Sequence, residues 1–383
     1  MKRDELLADL RQAYYDARRH KSKKPYLRLF EARLEQNLQE LCEELWTRTY
    51  KPRPSTCFLI SDPKRREVFA ANFRDRIVHH LYYNYTHELL ERTFIYDSYS
   101  CIKGRGTHFG IARLEHHVLR ESLNYSQPCY VLKMDIKGYF MHINRQRLLD
   151  ITLHQLKRHQ RQLGTSLTDF LEYLSREIIL LNPTDGCIVK GNKDEWKNLP
   201  KEKSLFCSPD GCGLPIGNLT SQLFSNVYLN VLDQYMKRTL GCKHYGRYVD
   251  DFFVVSCDRQ WLRDLIPKVR DYLREELALQ LHEGKIRIYD VRFGVDFLGA
   301  YLKPYRRYLC NATLRRIRQK LPSLEQEDNP ERLRARINSF LGIMGHYRSL
   351  QLQKKLLITL KPPWQYGCYI ITARGLKFVL SSS

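Results

Sequence analysis

The sequence has no C-x-x-C pair among its 11 cysteines, no apolar run of bilayer length, no apolar signal core behind Met1-Lys2-Arg3-Asp4-Glu5, and no repeat or low-complexity tract beyond Ser381-Ser382-Ser383. Each absence removes a class of protein. With Cys207 and Cys212 the closest thiols, free cysteines in a reducing cytosol fit better than a disulfide framework or a zinc site. Without a signal core or spanning segment, the expectation is a soluble, cytoplasmic protein with no membrane partner. Acidic residues are also short, 42 Asp+Glu against 64 Lys+Arg, a formal charge of +22. That excess predicts a polyanionic partner. The 25 tyrosines offer rings that stack on bases, though any single one serves equally as packing. A chain of 383 residues is long enough for two or three subdomains with sizeable cores.

The most informative stretch is Gly246-Arg247-Tyr248-Val249-Asp250-Asp251-Phe252-Phe253-Val254-Val255. Adjacent carboxylates interrupt an aromatic and β-branched run that predicts two buried strands joined by a tight turn. Buried like charges are costly unless neutralised, and hard carboxylate oxygens suit magnesium or manganese. A water-facing Asp-Asp turn is the alternative for the dipeptide alone. A second run, Tyr130-Val131-Leu132-Lys133-Met134-Asp135-Ile136-Lys137-Gly138-Tyr139-Phe140, ends a strand pattern on one carboxylate and supplies a third ligand. Carboxylates holding two metal ions suit an in-line displacement in which a 3′-hydroxyl attacks a triphosphate.

The order Asp135, then Gly213-Leu214-Pro215-Ile216-Gly217-Asn218-Leu219-Thr220-Ser221-Gln222, then Tyr248-Val249-Asp250-Asp251, then Phe297-Leu298-Gly299 resembles the palm motifs of reverse transcriptases over roughly residues 50 to 345. Ile216-Gly217 with Ser221-Gln222 resembles, more narrowly, the reverse transcriptases of diversity-generating retroelements, where most others carry Gln-Gly and Ser-Pro. The resemblance implies an α+β right-hand polymerase fold. Its expected divisions are a basic helical extension (1–50), fingers (51–128), a palm strand (129–145), a helical fingers-side insertion (146–210), palm (211–303), and thumb with tail (304–383).

Along the chain, residues 1 to about 48 read as helical, with Leu27, Phe30, Leu34, Leu38, Leu41 and Leu45 on one face. The basic run Arg18 to Lys24 is either a solvated face or a clamp on RNA phosphates or an acidic partner. Thr56 to Ile60 and the segment after Asp62-Pro63 match the family's fingers hairpin. The resemblance therefore implies Lys64 and Arg66 over the incoming triphosphate, with Arg65 an equally suitable cation. Asn72 opens a helix bearing Ile77, Leu81, Tyr85 and Leu89 on one face. Arg74 to Val78 matches the first family block and puts Arg74 with the template-primer. Lys103 and Arg105, in a Gly-punctuated loop before the next helix, match a template-contacting block, although a structural turn needs those glycines too.

By the same resemblance the backbone carbonyl of Ile136 completes a coordination sphere, Phe140 is the steric gate against a 2′-hydroxyl, and Ile216, Gly217 and Gln222 face the nascent pair. On the residues alone Phe140 reads equally as core. An apolar Ile216 cannot donate a hydrogen bond and so loses one check on pairing geometry. Ser221, Tyr248, Leu298 and Gly299 are placed at the template-primer, the last two in a primer-grip hairpin.

The segment from Thr184 to Leu199 reads as a loop-bounded insertion. Trp261 to Leu279 is an amphipathic helix with a kink or restart at Pro267. Residues 279 to 285 return to extended structure, ending on Lys285, either a cation near the leaving pyrophosphate or a surface lysine. From Pro304 onward the chain reads as helical, Asn311 capping a helix from Thr313 to Leu321 and Asn329-Pro330-Glu331 opening another. Arg315 and Arg316, with Arg318 and Lys320, form either a thumb grip on the template-primer backbone or a solvated basic face.

The activity implied is RNA-directed DNA synthesis: a template-repeat RNA copied into adenine-mutated cDNA for mutagenic retrohoming. Asp135, Asp250 and Asp251 would hold two Mg2+ ions, with Mn2+ a possible substitute. Expected partners are structured template-repeat RNA, a cDNA or target-DNA primer, deoxynucleoside triphosphates, and a small basic oligomeric accessory variability protein, in a bacterial or phage-infected cell. The chain is expected to end before any nuclease or maturase appendage. The alternatives are another bacterial reverse transcriptase (retron, group II intron-like or phage-defence) and a catalytically silent RNA-binding scaffold.

Overall fold

The computed structural model describes residues 2–61, 64–347, 349–359, 366–373 and 375–381. The expected tip of the fingers hairpin at Asp62-Pro63 and the terminal Ser382-Ser383 lie outside the described residues. Helices are combined with largely antiparallel sheets, an α+β arrangement. Two compact units emerge: Met1–Gly106 with Lys133–Val254 and Trp261–Ile286, and Thr107–Leu132 with Val255–Gln260 and Arg287–Ser383. Among the described residues no helix is long and apolar enough to cross a membrane.

In the first unit, the helix Arg3–Arg18 buries Leu6, Leu10, Ala13 and Ala17 and packs on the helix Phe73–Glu91. The stripe expected from Leu27 to Leu45 is split between Pro25–Glu31 and Leu34–Trp46. Asn37 Nδ2 donates to the Phe30 carbonyl at 2.8 Å, a side-chain bond that competes with helix continuation across Ala32-Arg33. Asn72 caps the next helix, its Oδ1 accepting from the Arg74 N–H.

The strands Thr56–Ile60 and Arg66–Ala70 pair antiparallel, Thr56 opposite Ala70 and Ile60 opposite Arg66. The loop-bounded insertion read at 184–199 contributes a short strand: Ile188–Val189 pairs parallel with Thr56 and Cys57. Leu219–Gln234 is buried nearly all round, the signature of an interior helix, and packs against Phe73–Glu91 and Arg145–Arg158. The helix Arg259–Leu277 runs through Pro267 without a restart, because Leu262, Leu265, Val269, Leu273 and Leu277 bury one continuous stripe that offsets the lost hydrogen bond.

In the second unit, Val295–Phe297, Ala300–Lys303 and Arg306–Leu309 form an antiparallel meander. Helices Asn311–Lys320, Pro330–Gly345 and Leu350–Thr359 follow, then the hairpin Gly367–Thr372 with Gly375–Leu380. The all-helical reading beyond Pro304 is thus corrected. Phe378 is buried among Leu324, Leu333, Ile337 and Leu341, and Asn338 bonds both the carbonyl and the N–H of Phe378 at 2.8 Å, so long-range packing holds the hairpin. Asn311 does not cap: Cys310 takes that position, its N–H held by the Gly299 carbonyl at 3.0 Å, so the helix begins at Asn311 itself. Asn329 does cap, accepting from the Arg332 N–H at 3.0 Å.

Candidate active site

The strands Tyr245–Tyr248 and Asp251–Ser256 pair antiparallel with Tyr248 opposite Asp251, leaving Val249 and Asp250 as a two-residue turn. Val249 has φ +55°, a left-handed conformation unfavourable for a β-branched residue. The turn is held from beneath by Arg247, which has no exposed surface. Its Nη1 donates to the Val249 carbonyl at 3.0 Å; its Nε and Nη2 grip Asp233 at 2.8 and 2.6 Å. Tyr245 donates to the same carboxylate at 2.6 Å, and Nη2 also reaches Ser98 Oγ at 3.3 Å. Burial works against the charge of Arg247, but Asp233 outweighs it and leaves the guanidinium pKa above its ordinary value.

Gly246 lies against the Tyr99 and Phe253 rings, where a Cβ would collide with Tyr99 Oη. Gly246→Ala is therefore expected to destabilise the chain by about 1–3 kcal/mol, the cost of overpacking, read as a shift in the urea midpoint.

Asp135 ends the strand Tyr130–Asp135. The next N–H, that of Ile136, donates to the Asp250 carbonyl at 3.2 Å, tying the two carboxylate-bearing segments together. On its other side the Asp135 carbonyl accepts from His282 N–H at 2.8 Å, and Lys137 N–H donates to Gln280 at 2.9 Å. These bonds bring up a 3-10 turn, Glu283–Lys285, where extended chain was expected, and Lys285 Nζ lies 2.8 Å from both oxygens of Asp135. Lys133 Nζ lies 3.1 Å from Asp251 Oδ2.

Burial, then the nearby Asp135, raises the pKa of Asp250 to about 6; Lys285 and Arg66 oppose this. Burial also raises Asp251 to about 6, with Lys133 opposing. The three carboxylates therefore share one electrostatic environment, though no group of three or more His, Cys, Asp or Glu among the described residues is gathered tightly enough to hold a metal ion. The donor chemistry nevertheless suits a hard divalent cation: Asp251 Oδ1 is buried without a hydrogen-bond partner, and two neighbouring carboxylates resist ionisation.

Around the carboxylates the first unit brings several expected residues into defined places. Ile216 O accepts from Phe69 N–H at 2.9 Å, and Asn218 Oδ1 accepts from Ala71 N–H at 3.1 Å, so the Gly213–Gly217 turn hangs on the strand Arg66–Ala70. Gly217 has φ +126°, and a Cβ there would meet Val68 and Phe69. Phe140 and Ile216 are half-buried and pack against one cluster of Cys57, Phe69, Met141 and Leu205. Lys64, Arg66 and Gln222 are exposed; Tyr248 is half-buried and Ser221 buried.

Two expected template contacts are occupied elsewhere. Arg74 is buried, its guanidinium paired with Glu44 and lying over Tyr50 with Cζ 5.1 Å from the ring centroid. Arg105 donates to the carbonyls of Ile95, Tyr96 and Ser98 at 3.3, 2.8 and 3.0 Å, fastening the loop that carries Ser98, while Lys103 remains exposed. In the second unit Leu298 and Gly299 form the strand turn with φ +50° and +84°, and the helix Asn311–Lys320 carries exposed Arg315 and half-buried Arg316.

Sequence reasoning missed Lys133, Asp233 and Glu67. Lys133 carried a usable signal, since residues two apart in a strand share a face and Lys133 precedes Asp135 by two. Asp233 and Glu67 carried none, as their partners are distant in sequence.

A profile described as reverse transcriptase (RNA-dependent DNA polymerase) matches residues 61–302. "Protein YkfC" of Escherichia coli K12 is 24% identical over 308 residues, covering 71% of this chain and 72% of that protein. Among solved structures, apo telomerase from Candida tropicalis aligns with TM-score 0.48 at 12% identity, over 81% of this chain and 60% of that one. Telomerase from Candida albicans in complex with the TWJ fragment of telomeric RNA gives 0.47 at 10%, over 82% and 57%. The chain thus spans less than two thirds of either telomerase chain.

Proposed function

Because the chain belongs to the reverse transcriptase family and is an RNA-directed DNA polymerase, we propose that it serves a diversity-generating retroelement, copying a template-repeat RNA into adenine-mutated cDNA for mutagenic retrohoming. The observation that carries this reading is Ile216, an apolar residue held by its own carbonyl on the fingers strand, in the turn that the family places against the nascent pair. With no donor at that position, pairing geometry loses one hydrogen-bonded check.

Asp135, Asp250, Asp251 and the carbonyl of Ile136 would hold two Mg2+ ions, which would activate the 3′-hydroxyl and stabilise the leaving pyrophosphate. The chain's own groups do the rest. Lys64 and Arg66 offset charge on the triphosphate, Arg66 already acting electrostatically on Asp250. Lys285, within reach of Asp135, supplies a proton to the leaving pyrophosphate. Phe140 closes the space a 2′-hydroxyl would need. The primer-grip turn at Leu298-Gly299 and the Arg315-Arg316 helix hold the template-primer, as fingers, palm and thumb divided at the boundaries given above would. The remaining partners are structured RNA, a cDNA or target-DNA primer and a small basic oligomeric accessory protein, in bacterial or phage-infected cytoplasm.

Primer extension on an RNA template containing all four bases, followed by product sequencing, tests the reading. Errors are expected to concentrate opposite template adenine and to fall several-fold in Ile216→Gln, a difference of about 1 kcal/mol in pairing discrimination. Faithful cDNA from the native chain, with cognate RNA and accessory protein present, overturns the retroelement assignment and leaves the polymerase.

A further inference from the structure

We propose that residues 184–207 are a working part of nucleotide selection, tied to the fingers strand by Glu67 and setting the positions of Phe140 and Ile216. The proposal rests on the reading that those two side chains face the incoming nucleotide and its pair.

Glu67 is 1% exposed and sits between Arg66 and Val68 on the strand, so it points to the opposite face from both. Its Oε1 accepts from Trp196 Nε1 at 2.7 Å and Ser204 Oγ at 2.8 Å, and its Oε2 from Leu205 N–H at 2.6 Å. No cationic side chain pairs with it among the described residues. A buried carboxylate held only by neutral donors is costly compared with an apolar residue of the same size, and what it provides in return is directional fixing of three donors.

Those donors all belong to 184–207, and the same segment lies against the Phe140 and Ile216 side of the proposed nucleotide site. Leu205 lies in the cluster against which Phe140 and Ile216 pack, and Trp196 packs there too. A Cβ on Gly138, in the turn after Asp135, would meet the Glu202 carbonyl at 3.0 Å; one on Gly213, at the head of the Ile216 turn, would meet Leu205 Cδ2 at 2.6 Å. At its start the segment is sewn to the other fingers strand, Ile188 N–H and Lys190 N–H each donating at 2.8 Å to Ser55 and Cys57 carbonyls. Release of Glu67 thus frees a shared floor under the gate and the Ile216 turn, while the carboxylates keep their own supports.

Glu67→Gln tests this, because one amide nitrogen must then face a buried donor whichever way the side chain turns. Steady-state single-nucleotide insertion is expected to show a KM for deoxynucleotide raised about tenfold, kcat nearly unchanged, and discrimination against ribonucleotide lowered by a similar factor. Trp196→Phe keeps the ring in the cluster, removes one donor, and is expected to move the same parameters in the same direction by a smaller factor; it decides the matter if Glu67→Gln does not fold. Unchanged KM and discrimination in a folded variant, or a fall in kcat alone, overturns the proposal while leaving the polymerase intact. Absence of synthesis by the native chain overturns the reading beneath it instead.

Discussion

Asp250→Asn is expected to lower primer extension by on the order of 10³-fold, the scale of losing one preorganised electrostatic group, and at the same time to raise the melting temperature at pH 7. Template binding, measured by filter retention, should persist. The two effects share a cause. Asp250 and Asp251 are half-buried beside other carboxylates, and desolvation there raises both pKa values to about 6. The unfolded carboxyls titrate near 3.9, so between about pH 4 and 6 the folded chain binds more protons than the unfolded one. Their favourable contribution is therefore complete below pH 4 and is lost as pH rises through 6. The neutral amide escapes that loss. The gap in melting temperature between variant and native chain should be absent at pH 4 and open by pH 7, by about 2–4 °C for each kcal/mol of repulsion relieved. A variant that melts below the native chain at pH 7 contradicts this account of the site; retained synthesis contradicts the role of Asp250.

The second large effect is expected at Arg247. Arg247→Met leaves Asp233 buried with Tyr245 as its one remaining donor among the described residues, and breaking a buried pair in this way costs about 3–5 kcal/mol, a fall of roughly 10 °C in melting temperature. Arg247→Lys separates support of the fold from support of the turn. A lysine retains the charge beside Asp233 but not the fork that also reaches the Val249 carbonyl and Ser98, so the left-handed Val249 loses its anchor. The lysine variant should unfold at a temperature between those of the native and methionine chains, yet synthesise DNA far more slowly than its stability suggests. Equal loss of stability in the two variants, or native synthesis rates in the lysine chain, would show that Arg247 does not hold the turn.

Much of the site was legible because its signals are local. The carboxylates at 135, 250 and 251 stand out by interrupting apolar strand patterns, and two of them sit in the tight strand–turn–strand that the pattern implied. Caps at Asn72 and Asn329 depend on an N–H only two or three residues away, so the sequence around them is sufficient. Asn311 looked equally good, but the adjoining Cys310 is held by Gly299, and that bond moved the start of the helix.

What the sequence by itself determined, then, is which residues carry chemistry and where strands, turns and most helices lie, since periodicity and turn preference act over a few residues. Only the tertiary structure decided what supports them. Asp233 meets Arg247 across 14 residues, Lys285 reaches Asp135 across 150, and Glu67 gathers donors 129 to 138 positions away. The C-terminal hairpin likewise exists because Phe378 is buried by a helix that ends well before it. A buried polar group needs partners wherever the fold brings them, and that requirement leaves no periodic trace in the chain.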